Sequence, residues 1–479
     1  MSQPLWTADE AARAMGGTPV GEVAAVGGVS IDTRTLQPGD LFFAIQGEAR
    51  DGHDFVADAL AQGAAACVVQ ADRAPAFQGP LIAVGDVLAA MVALGRAARR
   101  RSGARIVAVT GSVGKTGTKE ALRLALGRLG PTHASAASYN NHWGVPLTLA
   151  RMPRDAAFGV FEIGMNHGGE IAPLTRMVRP HAALVTTVEP VHIEHFRSVH
   201  AIADAKGEVF AGLEPGGVAV LNRDIATYER LRAHAGASPA GRVLTFGEHE
   251  AADIRLERIA LGADGSMVSA RVLGRPLAYR VGMPGRHVAM NSLGIVAVAH
   301  GLGLDVAEVA RALADLTPPQ GRGARTTLHR GGAFLLVDES YNANPASMRA
   351  ALATLAQVEP GPGGRRIAVL GDMLELGPEG PAMHAGLAEA VEANGIDQVF
   401  AAGPLMHGLW SALPRRLRGG YGESAAALEP ALLAAVQAGD VVVVKGSNGS
   451  RMGRLVAALK ARYGADAPDE GVRGTTARC

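Results

Sequence analysis

The sequence predicts a three-domain α/β protein: a small α/β domain, a central mainly parallel sheet built on a phosphate loop, and a C-terminal Rossmann-like domain. Three observations predict this. Residues 106–120, Ile-Val-Ala-Val-Thr-Gly-Ser-Val-Gly-Lys-Thr-Gly-Thr-Lys-Glu, read as strand, glycine loop and helix. Short apolar runs alternate with helical patterns on both sides of that loop, the pattern of parallel strands joined by crossover helices. The 479 residues correspond to about three domains of ~150 residues each.

Composition narrows the class. Apolar residues make up 48% and charged residues 19%, the balance of a globular protein with ample core. A net charge of +1 gives no footprint for nucleic acid or an anionic membrane. The two cysteines, Cys67 and Cys479, make neither a disulfide framework nor a zinc site, so a reducing compartment is expected. The first residues lack the basic and apolar regions of a signal peptide, and no run reaches the ~18 apolar residues of a membrane helix. A cytoplasmic monomer is the expectation.

Residues 1–85 form the first predicted domain. Thr7 caps a helix from Asp9 to Met15, with Glu10 completing a capping box. Strands follow at Val29–Asp32, Leu41–Ile45 and Ala65–Val69, with a helix over Asp54–Gln62. Residues 86–318 form the second, entered through a helix from Asp86 to Arg101. Its strands include Phe158–Phe161, running into Glu162, then Ala182–Val188 and Val218–Leu221. Turn residues between short strands over 242–283 suggest a small antiparallel addition, and Asn291–His300 is helical. Thr317-Pro318-Pro319-Gln320-Gly321 reads as a linker. Residues 319–464 repeat the alternation. Strands are expected at Phe334–Val337, Ile367–Leu370, Gln398–Ala401 and Val441–Val444, and helices at Ser347–Gln357, Ala382–Ala393, Glu423–Ala438 and Arg454–Tyr463. Residues 465–479 read as a disordered tail.

The chemistry begins at the loop. Gly111, Ser112, Val113 and Gly114 turn the chain so that backbone N–H groups and the helix N-terminus face an anion. Lys115 can reach the β- and γ-phosphates and Thr116 can ligate Mg²⁺. Val109 stands where the strict phosphate-loop pattern has glycine, so the plain alternative is a glycine-rich turn with a solvated lysine. Glu162 ends a buried strand and suits Mg²⁺, but on its own is equally a solvated or capping carboxylate. Val191-His192-Ile193-Glu194-His195 lacks zinc spacing, and a single histidine serving a hard metal or the substrate fits better than a cage. Lys206, by composition, is a surface helix lysine. Asn140-Asn141-His142 is a turn that either only turns or holds a substrate chain. Three strand ends of the last domain carry polar loops: Asp338 to Asn344, Gly371 to Gly377 and Lys445 to Ser450. Three in register point to a binding face.

Together these motifs resemble the Mur ligase family, ATP-dependent enzymes that form amide bonds in peptidoglycan precursors. In that family the loop is Thr-Gly-x-x-Gly-Lys-Thr/Ser, which accommodates Val109. The resemblance runs from about residue 23 to 460. Ser30-Ile31-Asp32-Thr33-Arg34, Pro38 to Ala44, Gly47 and Asp51 to Phe55 are similar to the family's uridine-binding domain. Asp338 to Met348 and Gly371 to Gly377, followed by His384, resemble the member that adds D-Ala-D-Ala to UDP-MurNAc-tripeptide. The Asp-Asn-Pro-Arg motif of the diaminopimelate-adding member is absent.

The resemblance implies roles residue by residue. Lys115 and the Gly111–Thr116 backbone bind ATP phosphates. Thr116 and Glu162 hold Mg²⁺, and His192 a second Mg²⁺. Lys206 matches the lysine that carries a carbamate. Asn291 matches an adenine contact, and Arg322 and Asp338 contact ATP from the last domain. Ser30, Arg34 and Gly47 serve the uridine end of the substrate, Asn140, Asn141 and His142 its chain and the second cation, and Tyr341, Asn342 and Asn344 the substrate side of the last domain. Gly117 and Val288 depart from the family's pattern. The implied reaction is acyl-phosphate activation of the tripeptide carboxylate, followed by attack of the D-Ala-D-Ala amine.

Overall fold

The structure, a computed structural model, describes residues 4–47, 50–136, 138–190, 196, 198–262, 264–318 and 321–464. The tail expected to be disordered lies outside these residues. Three sheets organise the chain.

The first contains β1 (Thr18–Val20), β2 (Gly28–Ser30), β3 (Asp40–Phe43), β4 (Ala66–Gln70) and β5 (Leu81–Val84) in the order β1-β5-β4-β3-β2. All pairs are parallel except β1 with β5. The helix Ala8–Met15 starts at the expected capping box, with Thr7 and Glu10 each bonding the other's backbone N–H. The helix Val87–Arg101 covers this sheet with Val87, Met91 and Leu94. It also meets Leu147 and Ala150 of the next domain, so it belongs to both cores.

The second sheet contains β6 (Arg105–Thr110), β7 (Thr132–Ala134), β8 (Phe158–Glu162), β9 (Ala182–Val185), β10 (Val218–Asn222), β11 (Arg242–Gly247), β12 (Ile254–Gly262), β13 (Gly265–Val272) and β14 (Arg275–Val281). Their order is β14-β13-β12-β11-β10-β9-β6-β8-β7. Pairing is parallel from β7 to β12 and antiparallel through β13 and β14. The antiparallel addition is therefore smaller than the sequence suggested, because β11 extends the parallel sheet. Side chains of β6 alternate between faces, as a strand buried on both sides must. Val107 and Val109 meet Ala121 and Leu122 of the helix Lys115–Gly127, whereas Ile106 and Ala108 meet Val145 and Ile202 on the other face. The chain leaves β6 toward β7 and β8 and later returns to β9 on the opposite side, so β6 ends at the switch point where open α/β sheets bind ligands.

The third sheet contains β15 (Ala324–His329), β16 (Ala333–Glu339), β17 (Arg366–Gly371), β18 (Gln398–Ala402), β19 (Arg418–Gly422) and β20 (Val441–Lys445), in the order β15-β16-β20-β17-β18-β19. Only β15 runs antiparallel. The single helix expected near Ala382–Ala393 is two, Gly380–Ala385 and Leu387–Ala393, broken at Gly386.

The sequence did not reveal β19, Arg-Gly-Gly-Tyr-Gly, because it has no apolar alternation. Its glycines are packing devices. A Cβ at Gly419 would lie 2.5 Å from the Phe400 ring and one at Gly420 2.9 Å from it. Gly419→Ala should therefore lower stability by about 1–3 kcal/mol through overpacking, read as a lower midpoint in thermal unfolding. An unchanged midpoint would show that Phe400 swings away freely.

Candidate active site

The phosphate loop takes its shape from two glycines in the left-handed region, Gly111 (φ +147°) and Gly114 (φ +85°). Neither has room for a side chain. A Cβ on Gly111 would sit 2.0 Å from Thr186 Oγ1, and one on Gly114 2.4 Å from Asn291 Nδ2. Both positions therefore require glycine, and Asn291 lies directly against the loop. Ser112 locks the loop to the segment after β9. Its N–H donates to Thr187 O at 2.9 Å, its Oγ donates to Glu189 O at 3.0 Å, and Glu189 N–H donates back to Ser112 Oγ at 2.9 Å. Lys115 Nζ folds back onto Gly111 O at 2.7 Å, where it waits beside the loop amides.

Glu162 ends β8, the strand next to β6, and is 2% exposed. Thr116 Oγ1 donates to its Oε2 at 2.7 Å, and Asn140 Nδ2 to its Oε1 at 2.8 Å. This donor set suits Mg²⁺, a hard cation that takes oxygens at 2.0–2.1 Å, so that adjacent ligands lie about 2.9 Å apart. The Thr116–Glu162 separation is close to that. Among the described residues no three His, Cys, Asp or Glu side chains converge on one point. His192 lies outside the described residues.

Lys206 is not a surface residue. It sits in the helix Val199–Gly207 and is 2% exposed. Burial, and then the positive charge of Lys115, push its amine well below the ordinary lysine range. The Lys115 amine is lowered as well, first by burial and then by Arg322, with the Glu162 carboxylate pulling the other way. Two buried lysines that repel one another are costly unless an anion joins them.

The last domain reaches this centre through Arg322. Its Nη2 donates to Ser138 Oγ at 3.2 Å, its guanidinium stacks 4.1 Å from the Tyr341 ring centroid, and Ser138 Oγ lies 3.4 Å from Thr116 Oγ1. Asp338, 4% exposed, accepts from Ser340 N–H and Oγ. These groups line a cleft of about 620 Å³ between the second and third domains, together with Lys119, Glu120, Asn448 and Arg451. Sequence reasoning overlooked Ser138, which lies in the featureless run Ala136-Ala137-Ser138, and Thr186, whose hydroxyl donates to Val113 O at 2.6 Å.

Other candidates lie around this centre. Asn342 and Asn344 use their amide oxygens locally, Asn344 as the cap of the helix Pro345–Ala356. Lys445, buried at the end of β20, bonds Glu339 Oε2 at 3.2 Å and Asn342 O at 2.9 Å, tying two strand ends together. Asn141 Oδ1 accepts from Gly144 N–H and so shapes the turn into the helix Gly144–Ala150. His142 is exposed and packs edge-on against Trp143. Trp143 in turn approaches Gly47, where a Cβ would lie 3.2 Å from the indole. Ser30 Oγ bonds Asp32 O at 3.1 Å, and Arg34, highly exposed, forms an ion pair with Asp32 at 2.6 Å. The first domain therefore faces the Asn140–Trp143 turn, while Ser30 and Arg34 stand apart from the phosphate loop. Beyond the loop threonine, Gly117 leaves open space for a side chain, and Val288 packs against the central core.

Comparison with known proteins finds three successive family models along the chain. The model described as Mur ligase family, catalytic domain, matches residues 25–102, the Mur ligase middle domain matches 109–299, and the Mur ligase, glutamate ligase domain, matches 324–448. The UDP-N-acetylmuramoyl-tripeptide–D-alanyl-D-alanine ligase of Escherichia coli (strain K12) is 36% identical over 90% of this chain and 93% of its own length. The ligase of the same name from Synechocystis sp. is 35% identical over 93% of this chain and 94% of its own. A crystal structure of MurF from Acinetobacter baumannii superposes with a TM-score of 0.81 at 27% identity, covering 95% of this chain and 98% of that one. MurF from Thermotoga maritima in complex with ADP gives 0.73 at 25% identity, over 90% and 97%. Matching MurF proteins along nine-tenths or more of its length, the chain belongs to the Mur ligase family.

Proposed function

We propose that this chain is an ATP-dependent amide ligase that joins D-alanyl-D-alanine to UDP-N-acetylmuramoyl-tripeptide. It releases ADP and phosphate and makes the pentapeptide precursor of peptidoglycan. The observation that carries this reading is a cleft shared between two domains, with Arg322 of the last domain bonded to Ser138 beside the Thr116–Glu162 pair. Relatives named for this reaction match across nine-tenths of the chain.

A free carboxylate resists attack by an amine because it has no leaving group. A carboxylate oxygen of the tripeptide attacks the γ-phosphorus, the bond to ADP breaks, and an acyl phosphate forms. The neutral dipeptide amine attacks that carbonyl, phosphate departs with the C–O electron pair, and the proton that the nitrogen then loses goes to the departing phosphate. The first step brings two anions together. Lys115 and the amides of the loop supply the opposing charge where it develops. Mg²⁺ supplies further neutralisation and alignment when bound. Thr116 and Glu162 would hold one ion, and His192 and Lys206 a second.

Lys206 suits the second ion as a carbamate: its neutral amine adds to CO₂ and loses a proton, becoming an anion. The lowered amine supports this, since a protonated lysine has no lone pair to offer. Asn291 serves the adenine, Asp338 and Arg322 the rest of the nucleotide, and Ser30, Arg34 and Gly47 the uridine. Asn140, Asn141 and His142 serve the peptide chain. Tyr341, Asn342 and Asn344 serve the substrate on the face of the last domain. Closure of the three domains, drawn here as 1–85, 86–318 and 319–464, keeps water from the acyl phosphate. Every group comes from one chain, so a monomer suffices, and the soluble nucleotide substrates fit a cytoplasmic site. Among the described residues no helix is long and apolar enough to cross a membrane.

The test is phosphate release from ATP with UDP-N-acetylmuramoyl-tripeptide, with and without D-alanyl-D-alanine. Release that needs all three substrates is the expected result. Release indifferent to the dipeptide would overturn the reading in favour of a nucleotide-hydrolysing module.

A further inference from the structure

Glu208 follows Lys206 by two residues, where the helix Val199–Gly207 passes into the short turn Glu208–Gly212. Its carboxylate spans a gap to another element. Oε1 accepts from Gly169 N–H at 2.6 Å and Oε2 from Ala172 N–H at 3.0 Å. These N–H groups flank the start of the helix Ile171–Val178, whose own N-cap residue, Glu170, makes no capping bond. The Glu170 carboxylate is engaged instead by Asn166 N–H at 2.8 Å and the His167 ring at 3.1 Å. Glu208 therefore supplies from a distance the anion that a helix start favours.

The partner segment matters because of where it begins. Gly169 closes the loop that starts at Glu162. That loop is laced to the centre, with Ile163 N–H on Val109 O at 2.9 Å and Gly164 N–H on Asn140 O at 2.8 Å. A path of hydrogen bonds and short loop thus joins Lys206, through Glu208, to the carboxylate that pairs with Thr116. The contribution is geometric, since the charge acting on the Lys206 amine is that of Lys115.

We propose that Glu208 is a positioning residue of the cation site, holding the Lys206 helix in register with the Glu162 loop. The inference rests on the reading of Lys206 and Glu162 as partners at bound cations. Packing beneath the contact does not depend on it. Thr175 Oγ1 donates to Val209 O at 2.7 Å, and Gly212 lies so close to Thr175 that a Cβ would sit 2.3 Å from its backbone. A variant at Glu208 should therefore fold.

Asp204, one turn before Glu208 and bonded to a different neighbour, provides the control. Asp204 binds Arg230 at 2.5 Å and His234 at 2.9 Å, both on the neighbouring helix Tyr228–Gly236. The experiment compares Glu208→Ala, Glu208→Gln and Asp204→Asn in the full chain. It measures Mn²⁺ affinity by electron paramagnetic resonance, together with kcat, KM and thermal midpoint. Loss of a group that orients metal ligands typically weakens binding about 10–100-fold. Glu208→Ala should show that loss in Mn²⁺ affinity and a similar fall in kcat, with KM for the uridine substrate changed less than about twofold. Glu208→Gln, keeping one acceptor oxygen, should recover part of both. Asp204→Asn should lower the thermal midpoint and leave Mn²⁺ affinity unchanged. Wild-type Mn²⁺ affinity in Glu208→Ala, or equal losses in Glu208→Ala and Asp204→Asn, would overturn the proposal. Failure of the ligase reading would appear separately, as wild-type phosphate release without dipeptide dependence, and the Mn²⁺ comparison would still decide the role of Glu208.

Discussion

Lys206→Ala abolishes dipeptide-dependent phosphate release, with kcat falling by about 10³-fold or more, the scale of losing a principal electrostatic group in a closed site. The side chain is buried beside Lys115, and neither burial nor that neighbour favours an ammonium. A neutral amine there either remains idle or becomes an anion by taking up CO₂. If the carbamate forms, a short carboxylic acid such as acetate should partly rescue Lys206→Ala, by entering the space that the side chain leaves. Full activity in the variant would remove the carbamate, and loss without rescue would leave Lys206 a packing residue.

A pH signature accompanies this. The Lys206 amine is depressed in the folded chain, so the unfolded chain binds its proton more readily. Stability contributed by this site therefore rises with pH through the window between the lowered value and the ordinary lysine value of ~10.4. Lys206→Met should flatten that slope. The check is denaturant unfolding across the window in CO₂-free buffer, where an unchanged slope would assign it to other groups.

Lys115→Ala should cost turnover far more than uridine-substrate binding. The expected loss in kcat is about 10²–10³-fold, while the Kd for UDP-N-acetylmuramoyl-tripeptide, measured by calorimetry, stays within a few-fold. The geometry gives the reason. Lys115 Nζ rests on Gly111 O at 2.7 Å, within the phosphate loop, whereas Ser30 ends β2 of the first sheet, Arg34 pairs with Asp32 just after it, and Gly47 approaches Trp143. A variant that loses uridine-substrate affinity in proportion to kcat would mean that the loop also holds the first substrate, and the division of labour would fail.

Some of this was legible because it is local. The phosphate loop shows in sequence since glycine is required where φ is positive and phosphate must touch backbone, and strand and helix flank it by period alone. The capping box at Thr7 and Glu10 and the apolar runs of β6, β8, β9 and β20 are likewise written in neighbouring residues. The strands β1, β5, β7, β15 and β19 were missed, being short, polar or glycine-rich, and β19 is a strand because Phe400 lies across it.

By itself, the sequence determined three alternating α/β segments, a loop able to hold phosphate, and motifs that resemble one ligase family. Only the tertiary structure decided where each polar residue lies and what it meets. Lys206 reads as a surface lysine until the fold buries it next to Lys115. Glu162 reads as any carboxylate until Thr116 and Asn140 meet its two oxygens, and Ser138 is invisible until Arg322 reaches it from the last domain. The physical reason is that burial and long-range contact set a group's charge and reach, and both depend on residues far away along the chain.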